Sequence, residues 1–202
     1  MRPLLLLTLL SLAACSSFLT GGGPAPDLFT LSSATRFAEG LPKMPWQLMI
    51  EEPTAVGGLD ANRVAVQPTQ NEVRYFADVR WVERAPRMVQ GLLVESFERS
   101  GTVAAADRYT VGTRADYILK AELRDFQAEL FDGAKIPTVH VRLPVKLVRG
   151  SRQDIQWTRD FEARVVARAS RAPDVVAAFD QALAQVMAEI VATTVRETPS
   201  SR

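Results

Sequence analysis

Three long segments between residues 116 and 167 alternate apolar and charged residues with the period of two that is typical of β-strands. The first segment, Asp116–Leu130, changes phase near Asp125, which predicts a β-bulge at that position. The pair Asp132-Gly133 that follows predicts a tight turn back into the next strand. This pattern constrains the fold most, because consecutive alternating strands joined by a short turn require an antiparallel sheet.

The two following segments extend this sheet. The return strand has an apolar side that consists of Val139, Val141, Leu143, Val145 and Leu147. Pro144 lacks an N–H donor, so we expect this strand to lie at an edge of the sheet or to carry a bulge. In the third strand, Ile155–Ala167, one side is apolar and the other carries Thr158, Asp160, Glu162 and Arg164. Three long strands with one charged side predict a sheet that helices cover on one face only.

Two other segments have the three- and four-residue spacing of amphipathic helices. The first starts at Pro86 and ends at Gly101, residue types that suit the first turn and the C-terminal end of a helix. The second starts at Pro173, and its apolar stripe, which we assign to the core, is Val176, Phe179, Leu183, Val186 and Ile190. Shorter strands are predicted at Asp27–Leu31, Trp46–Ile50, Arg63–Val66, Glu72–Phe76 and Val103–Ala106. The predicted fold is α+β, a single domain in which two long helices pack on one face of a mixed or antiparallel sheet.

The composition limits the classes of function. The chain has 202 residues, of which 47% are apolar and 23% are charged, as in a globular domain. Its formal net charge of +1 argues against a nucleic-acid-binding protein, because such proteins usually have a strong basic excess. The single cysteine, Cys15, excludes an intramolecular disulfide.

The N-terminus has the pattern of an export signal that ends at this cysteine. Arg2 provides a positive charge, and the apolar run Leu4–Leu12 is too short to span a bilayer. The tetrapeptide Leu12-Ala13-Ala14-Cys15 resembles the lipobox of bacterial lipoproteins. This resemblance implies that residues 1–14 are a removed signal peptide and that Cys15 is acylated. The alternatives are a lone cysteine after an ordinary signal peptide and a catalytic thiol, which nothing nearby would activate.

Residues 15–26 are interpreted as the lipidated N-terminus and a flexible tether, because Phe18–Pro26 contains three consecutive glycines and two prolines. Acyl chains on Cys15 would anchor the protein to a membrane. The residue after the cysteine is Ser16, whereas lipoproteins that enteric bacteria retain at the inner membrane have Asp there. By this resemblance we expect the periplasmic face of the outer membrane, with the inner membrane as the less favoured alternative.

The sequence offers few groups for catalysis. His140, the only histidine, lies on the polar side of its strand near Arg142, and we favour an exposed strand histidine over a general base. Carboxylates and basic residues interleave on the strands, which cross-strand ion pairs explain without catalysis: Glu122, Asp125, Asp160 and Glu162 with Lys120, Arg124, Arg159 and Arg164. One histidine and one acylated cysteine fall short of the three or four ligands of a zinc site. We therefore expect no enzyme activity, no metal and no cofactor besides the lipid on Cys15.

Several stretches occur together in an order that is typical of one known family. Besides the lipobox they are LFTL at Leu28–Leu31, EVRYFADVRWVERAP at Glu72–Pro86, DYILKAELRDFQAEL at Asp116–Leu130 and VVAAFDQALAQVMAEIV in the last helix. With this set, the chain resembles the ABC-type transport auxiliary lipoproteins, a group that includes the PqiC-like lipoproteins. Tyr75 and Trp81 match the family's aromatic signature, and we interpret both as core anchors between sheet and helices rather than as ligand contacts.

The resemblance implies a non-catalytic subunit of a lipid transport system that also contains an ATPase, a permease and a substrate-binding protein with an MCE domain. It assigns residues 27–197 to the auxiliary domain and residues 198–202 to a C-terminal tail. It implies docking to the MCE-domain protein, leaves homo-oligomerisation open and adds no site residue besides Cys15. Two alternatives remain open: a module that itself carries a lipid in an apolar cavity, and a structural or assembly lipoprotein of the envelope.

Overall fold

The computed structural model describes residues 25–110, 112 and 114–200. The strands are β1 (Asp27–Phe29), β2 (Met44–Ile50), β3 (Thr54–Ala55), β4 (Arg63–Thr69), β5 (Glu72–Trp81), β6 (Val103–Arg108), β7 (Tyr117–Leu123), β8 (Asp125–Glu129), β9 (Thr138–Arg149) and β10 (Ile155–Val166). The helices are α1 (Ala85–Ser100), between β5 and β6, and α2 (Ala172–Glu197), after β10. The described chain is thus a single α+β domain, as the sequence predicts.

Strand β9 is the centre of one mixed sheet. It pairs antiparallel with β10 on one side, and on its other side its two halves pair with β8 and β7. The sheet continues from β8 through β4 and β5 to β1, and from β7 through β2 to β6. The pairs β1–β5, β2–β6, β2–β7, β3–β7 and β4–β8 are parallel, so the sheet is mixed rather than purely antiparallel.

The predicted bulge near Asp125 is confirmed as a break between β7 and β8. The register against β9 shifts there, since Ala121 pairs with Val145 whereas Asp125 pairs with Arg142. Of the two alternatives predicted for the strand of Pro144, an edge position and a bulge, the edge position is wrong, because β9 has neighbours on both sides, and the irregularity lies in the neighbouring β7–β8 segment. Pro144 is tolerated in this central strand because it lies opposite the break, where no regular ladder requires its missing N–H.

Both helices cover one face of the sheet. Helix α2 contacts β9 and β10, and α1 contacts β6 and β2. The predicted stripe of α2 is buried, with exposures of at most 8% for Val176, Phe179, Leu183, Val186 and Ile190. The rings of Trp81, Phe126 and Phe179 meet beneath it, with centroids 5.0 to 5.8 Å apart. By length and composition α2 could span a membrane, but these contacts make it the core helix of the domain.

Two connections fix the ends of the helix layer. Gly101 ends α1 in the left-handed conformation, with φ of 59°, as the sequence predicts. The segment between β1 and β2 is bound to both helices: the N–H of Ala34 donates to Ser96 Oγ at 3.0 Å, and the N–H of Ser32 donates to Asp180 Oδ1 at 2.6 Å. The short strand β1 is therefore held by the helix layer as well as by β5.

Candidate functional site

The predicted lipid attachment site, Cys15, lies outside the described residues, so its acylation stays a prediction. The described chain starts at Ala25, and β1 follows directly as an edge strand. Strand β1 pairs in parallel with the end of β5, where Leu28 lies opposite Arg80. An anchor at Cys15 would therefore be connected to this edge of the sheet.

The face of the sheet opposite the helices, here called the open face, carries the candidate site. Gln127, His140 and Arg164 lie side by side on β8, β9 and β10, between residues that point into the core. The same face carries most of the charged strand residues: Lys120, Glu122, Asp125, Glu129, Arg142, Lys146, Asp160 and Glu162. The polar sides predicted from the alternation are thus brought together on one surface.

His140 lies on the open face as predicted, but it is buried rather than exposed, with only 4% accessible. Its Nδ1 lies 2.8 Å from Glu129 Oε1, and its Nε2 lies 2.9 Å from Glu162 Oε1. Arg164 closes the cluster, with Nη1 2.6 Å from Glu129 Oε2 and Nη2 3.0 Å from His140 Nδ1. Gln127 Nε2 donates to Glu129 Oε1 at 3.2 Å. Burial of these polar groups is tolerated because each has a hydrogen-bonding partner.

The contacts of this cluster join three neighbouring strands of the sheet. Both ring nitrogens of His140 are in contact with carboxylates of the same cluster, Nδ1 with Glu129 and Nε2 with Glu162. The positive charge between the two carboxylates is supplied by the Arg164 guanidinium. Within residues 25–110, 112 and 114–200, no group of three or more His, Cys, Asp or Glu is arranged to hold a metal ion.

Arginines pair with the carboxylates of the open face. Some pairs join neighbouring strands as predicted, such as Arg142 with Asp160, whereas two other pairs join residues that are two positions apart in sequence. Glu162 accepts a hydrogen bond from Arg164 Nε at 3.0 Å, and this bond lowers the pKa of the Glu162 carboxyl despite its partial burial. Glu122 accepts a hydrogen bond from Arg124 Nη2 at 2.6 Å, which lowers the pKa of Glu122 in the same way. Carboxyls with lowered pKa values stay ionised at neutral pH and are poorly suited to donate protons.

A groove of about 560 Å³ runs along the open face over β7, β9 and β10. Pro144 lies in it, and its walls are mostly charged: Glu51, Glu52, Lys120, Glu122, Arg124, Lys146, Arg159 and Asp160. Lys120 of β7 and Lys146 of β9 lie directly opposite each other. Lys120 forms an ion pair with Glu51 at 2.9 Å, whereas Lys146 forms none with the described residues. The alternation of β9 indicates a polar position for Lys146, but only the register brings it against Lys120.

The two aromatic residues of the family's signature lie on opposite faces of the sheet. Trp81 is a core anchor as predicted, with an exposure of 1%. Tyr75 also packs against the core but is only partly buried, and it does not lie between sheet and helices as predicted, because it pairs with Ala65 on the open face. Its hydroxyl donates to the carbonyl oxygen of Gly58 at 3.1 Å, and the Arg63 guanidinium stacks 3.8 Å from the ring centroid. A register shift in β5 between the two aromatics changes the face, which simple alternation does not predict.

Comparison with known proteins connects this fold to a family. The model of the ABC-type transport auxiliary lipoprotein component matches residues 29–191. The chain belongs to this family. The family consists of auxiliary lipoprotein components of ABC-type transport. The resemblance stated from the sequence is therefore confirmed.

Relatives of this auxiliary lipoprotein share its architecture. The crystal structure of XCC0632 from Xanthomonas campestris, a member of family DUF330, is 29% identical with a TM-score of 0.79, covering 85% of this chain and 95% of that one. A second crystal structure, of an uncharacterised protein, is 18% identical with a TM-score of 0.61 over 86% of this chain and 98% of that one, and it shares the fold. An uncharacterised protein of Bradyrhizobium diazoefficiens is 28% identical over 190 residues, 91% of this chain. The chain spans about half (49%) of the length of that curated relative.

Proposed function

We propose that this auxiliary lipoprotein is a non-catalytic subunit of an MCE-linked ABC-type lipid transport system and docks the periplasmic MCE-domain component. The single observation that carries the docking role is the charged groove on the uncovered face of the sheet. Its walls contain both signs of charge, and Lys146 has no ion pair within the described residues. Charges of this kind at the rim of an interface steer association and fix the orientation of a protein partner.

The proposed docking predicts a specific effect of reversing one charge. Lys146→Glu removes no ion pair of the described chain, so the fold is expected to be unaffected. Affinity purification from detergent-solubilised envelopes is expected to recover the MCE-domain protein with the wild type. With Lys146→Glu, the amount recovered is expected to be about tenfold lower, which corresponds to a loss of about 1.4 kcal/mol in binding free energy. The matched control is Arg36→Glu, which makes the same charge change at an exposed position between β1 and β2. Equal recovery with all three proteins would contradict docking at the groove.

The proposed anchor is the acylated Cys15 at the periplasmic face of the outer membrane. The residues Leu12–Cys15 and the following Ser16 support this part of the proposal. Metabolic labelling with a palmitate analogue, followed by separation of inner and outer membranes, is expected to give labelled wild type in the outer membrane and no label on Cys15→Ala. Label on Cys15→Ala would exclude this attachment site, and labelled wild type in the inner membrane would exclude the proposed location.

The packed interior favours docking over transport of a lipid inside the domain. A carrier needs an apolar cavity between sheet and helices, and this space is filled by side chains that include Trp81, Phe126 and Phe179, each at most 1% exposed. Lipid that remains bound in native mass spectra of the purified protein, beyond the covalent acyl chains, would support the carrier alternative instead. Retention on isolated peptidoglycan without an MCE-domain partner would support a structural role in the envelope.

A further inference from the structure

A strip of aliphatic and basic side chains lies at the edge of the sheet where the chain enters the domain. Leu28 of β1, Arg80 of β5 and Arg63 of β4 are neighbours in register, on the open face. Val82 lies two positions after Arg80, and its N–H donates to the carbonyl oxygen of Phe29 at 2.9 Å, which keeps it beside β1. We refer to Leu28, Arg63, Arg80 and Val82 as the edge strip.

The edge strip combines exposed aliphatic side chains with arginines that form no ion pair within the described residues. Leu28 is 63% exposed and Val82 is 52% exposed, although both are large aliphatic residues. Arg63 and Arg80 are directly opposite each other, an arrangement in which like charges destabilise a strand pair. Within the described chain, Arg80 donates to a backbone carbonyl and Arg63 stacks on Tyr75, and neither has a carboxylate within 4 Å. By contrast, arginines beside the groove form ion pairs with glutamates.

Nearby carboxylates do not compensate these two charges. Asp27 is paired with the core residue Val79, so it points away from the open face. Glu83 lies 3.3 Å from Arg87 and is used by that pair. Asp78 lies in the irregular part of β5, with φ of 53°, and is more than 4 Å from the guanidinium groups of the strip. The edge strip is therefore a positively charged surface with exposed aliphatic groups.

We propose that the edge strip contacts the anionic phospholipid surface of the membrane that holds the protein. The two arginines bind headgroup phosphates, and Leu28 and Val82 enter the boundary between headgroups and acyl chains. This inference rests on the proposed acylation of Cys15. From residue 15 to residue 27 a fully extended chain reaches at most about 43 Å, so the anchor confines the domain to the neighbourhood of the bilayer, and β1, which belongs to the strip, is the strand that follows the tether.

This contact orients the domain. The strand order from the strip to the far edge of the sheet is β1, β5, β4, β8, β9 and β10. At about 4.8 Å between neighbouring strands, β10 lies about 24 Å from β1 and about 14 Å from β4, the strand of the strip that is nearest to it. With the strip on the membrane, the β1 side of the open face lies nearest to the lipid, and the groove, at the β10 side of the same face, lies farther from it.

The test uses the full lipidated chain, in which Cys15, the only native cysteine, is acylated and does not react with a thiol label. A dye is attached at Thr30→Cys, an exposed position two residues after Leu28 that leaves the strip intact. The matched control has the dye at Gln185→Cys, which is exposed on α2 in the helix layer. Both proteins are reconstituted into vesicles of phosphatidylethanolamine and phosphatidylglycerol that contain a lipid-attached quencher.

We expect quenching of the dye at position 30 and not at position 185. Removal of both positive charges by Arg63→Gln and Arg80→Gln is expected to lower the equilibrium constant for contact between strip and membrane about thirtyfold, because each basic residue contributes about fivefold at an anionic surface. Phosphatidylcholine vesicles are expected to give the same loss. Leu28→Ser with Val82→Ser, in which the charges remain, is expected to reduce quenching in anionic vesicles.

Equal quenching at both dye positions, or quenching that the arginine substitutions do not change, overturns the proposal. Flotation of the same samples separates this outcome from failure of the anchor. A chain that floats with the vesicles without quenching refutes the edge strip alone, whereas a chain that does not float also refutes the anchor of the proposed function.

Discussion

Replacement of Phe179 by alanine tests whether the space between sheet and helices is a packed core. Phe179 is completely buried on α2, and its ring centroid lies 5.3 Å from that of Trp81 and 5.0 Å from that of Phe126. Substitutions of this kind destabilise proteins by about 3–5 kcal/mol, and loss of two aromatic contacts places this one near the upper end. For a domain of this size, about 4–5 kcal/mol corresponds to a fall in Tm of about 8–20 °C.

The assay is equilibrium urea unfolding of the detergent-solubilised chain, followed by tryptophan fluorescence, together with thermal unfolding. The control is Gln185→Ala on the exposed side of the same helix, which is expected to change the free energy of unfolding by less than about 0.5 kcal/mol. A loss below about 1 kcal/mol for Phe179→Ala would refute the reasoning. Such tolerance would indicate a loosely filled interior, as a lipid carrier requires.

Two further substitutions have expected effects on stability. Gly150→Ala is expected to destabilise the protein by about 1–3 kcal/mol in thermal unfolding, because the new Cβ would lie 2.1 Å from the Ala115 carbonyl oxygen. The control Gly57→Ala is expected to be neutral, because the Cβ that it adds would have no atom within 4 Å. Equal Tm values for the two variants would contradict this. Glu162→Gln is expected to destabilise by less than about 1 kcal/mol at pH 7, because its ion pair with Arg164 is partly exposed. The pKa of Glu162 is lower in the folded protein than its unfolded value of about 4.3. The difference in unfolding free energy between Glu162→Gln and wild type is therefore present above about pH 4.3 and disappears as the pH falls through the folded pKa. Urea titrations in which this difference grows on acidification would contradict the assignment.

The elements with strong periodicity were predictable from the sequence. The stripe that contains Phe179 on α2 and the polar side of β10 follow local patterns of 3.6 and 2 residues, and burial of one side is sufficient to place them. The helix end at Gly101 was predictable for a local reason too, because a left-handed residue there favours glycine. The one-sided covering of the sheet followed from these patterns.

Features that depend on long-range register were not predictable. The parallel insertion of β2 beside β7 and of β4 beside β8 joins segments that are distant in sequence. Pro144 is not at an edge because β9 pairs with β10 on one side and with β7 and β8 on the other. The irregularity of β5 moves Tyr75 to the opposite face from Trp81. Burial of His140 results from Glu129 and Arg164, which are distant in sequence and meet only across three strands.

The central claim is that the groove on the open face is the docking surface for the MCE-domain protein. The most direct measurement is site-specific photocrosslinking in intact cells from Thr158, an exposed residue in the wall of the groove, with Gln185 in the helix layer as the matched position. We predict an adduct with the MCE-domain component from position 158 and none from position 185. An adduct from position 185 with none from position 158 would contradict the account.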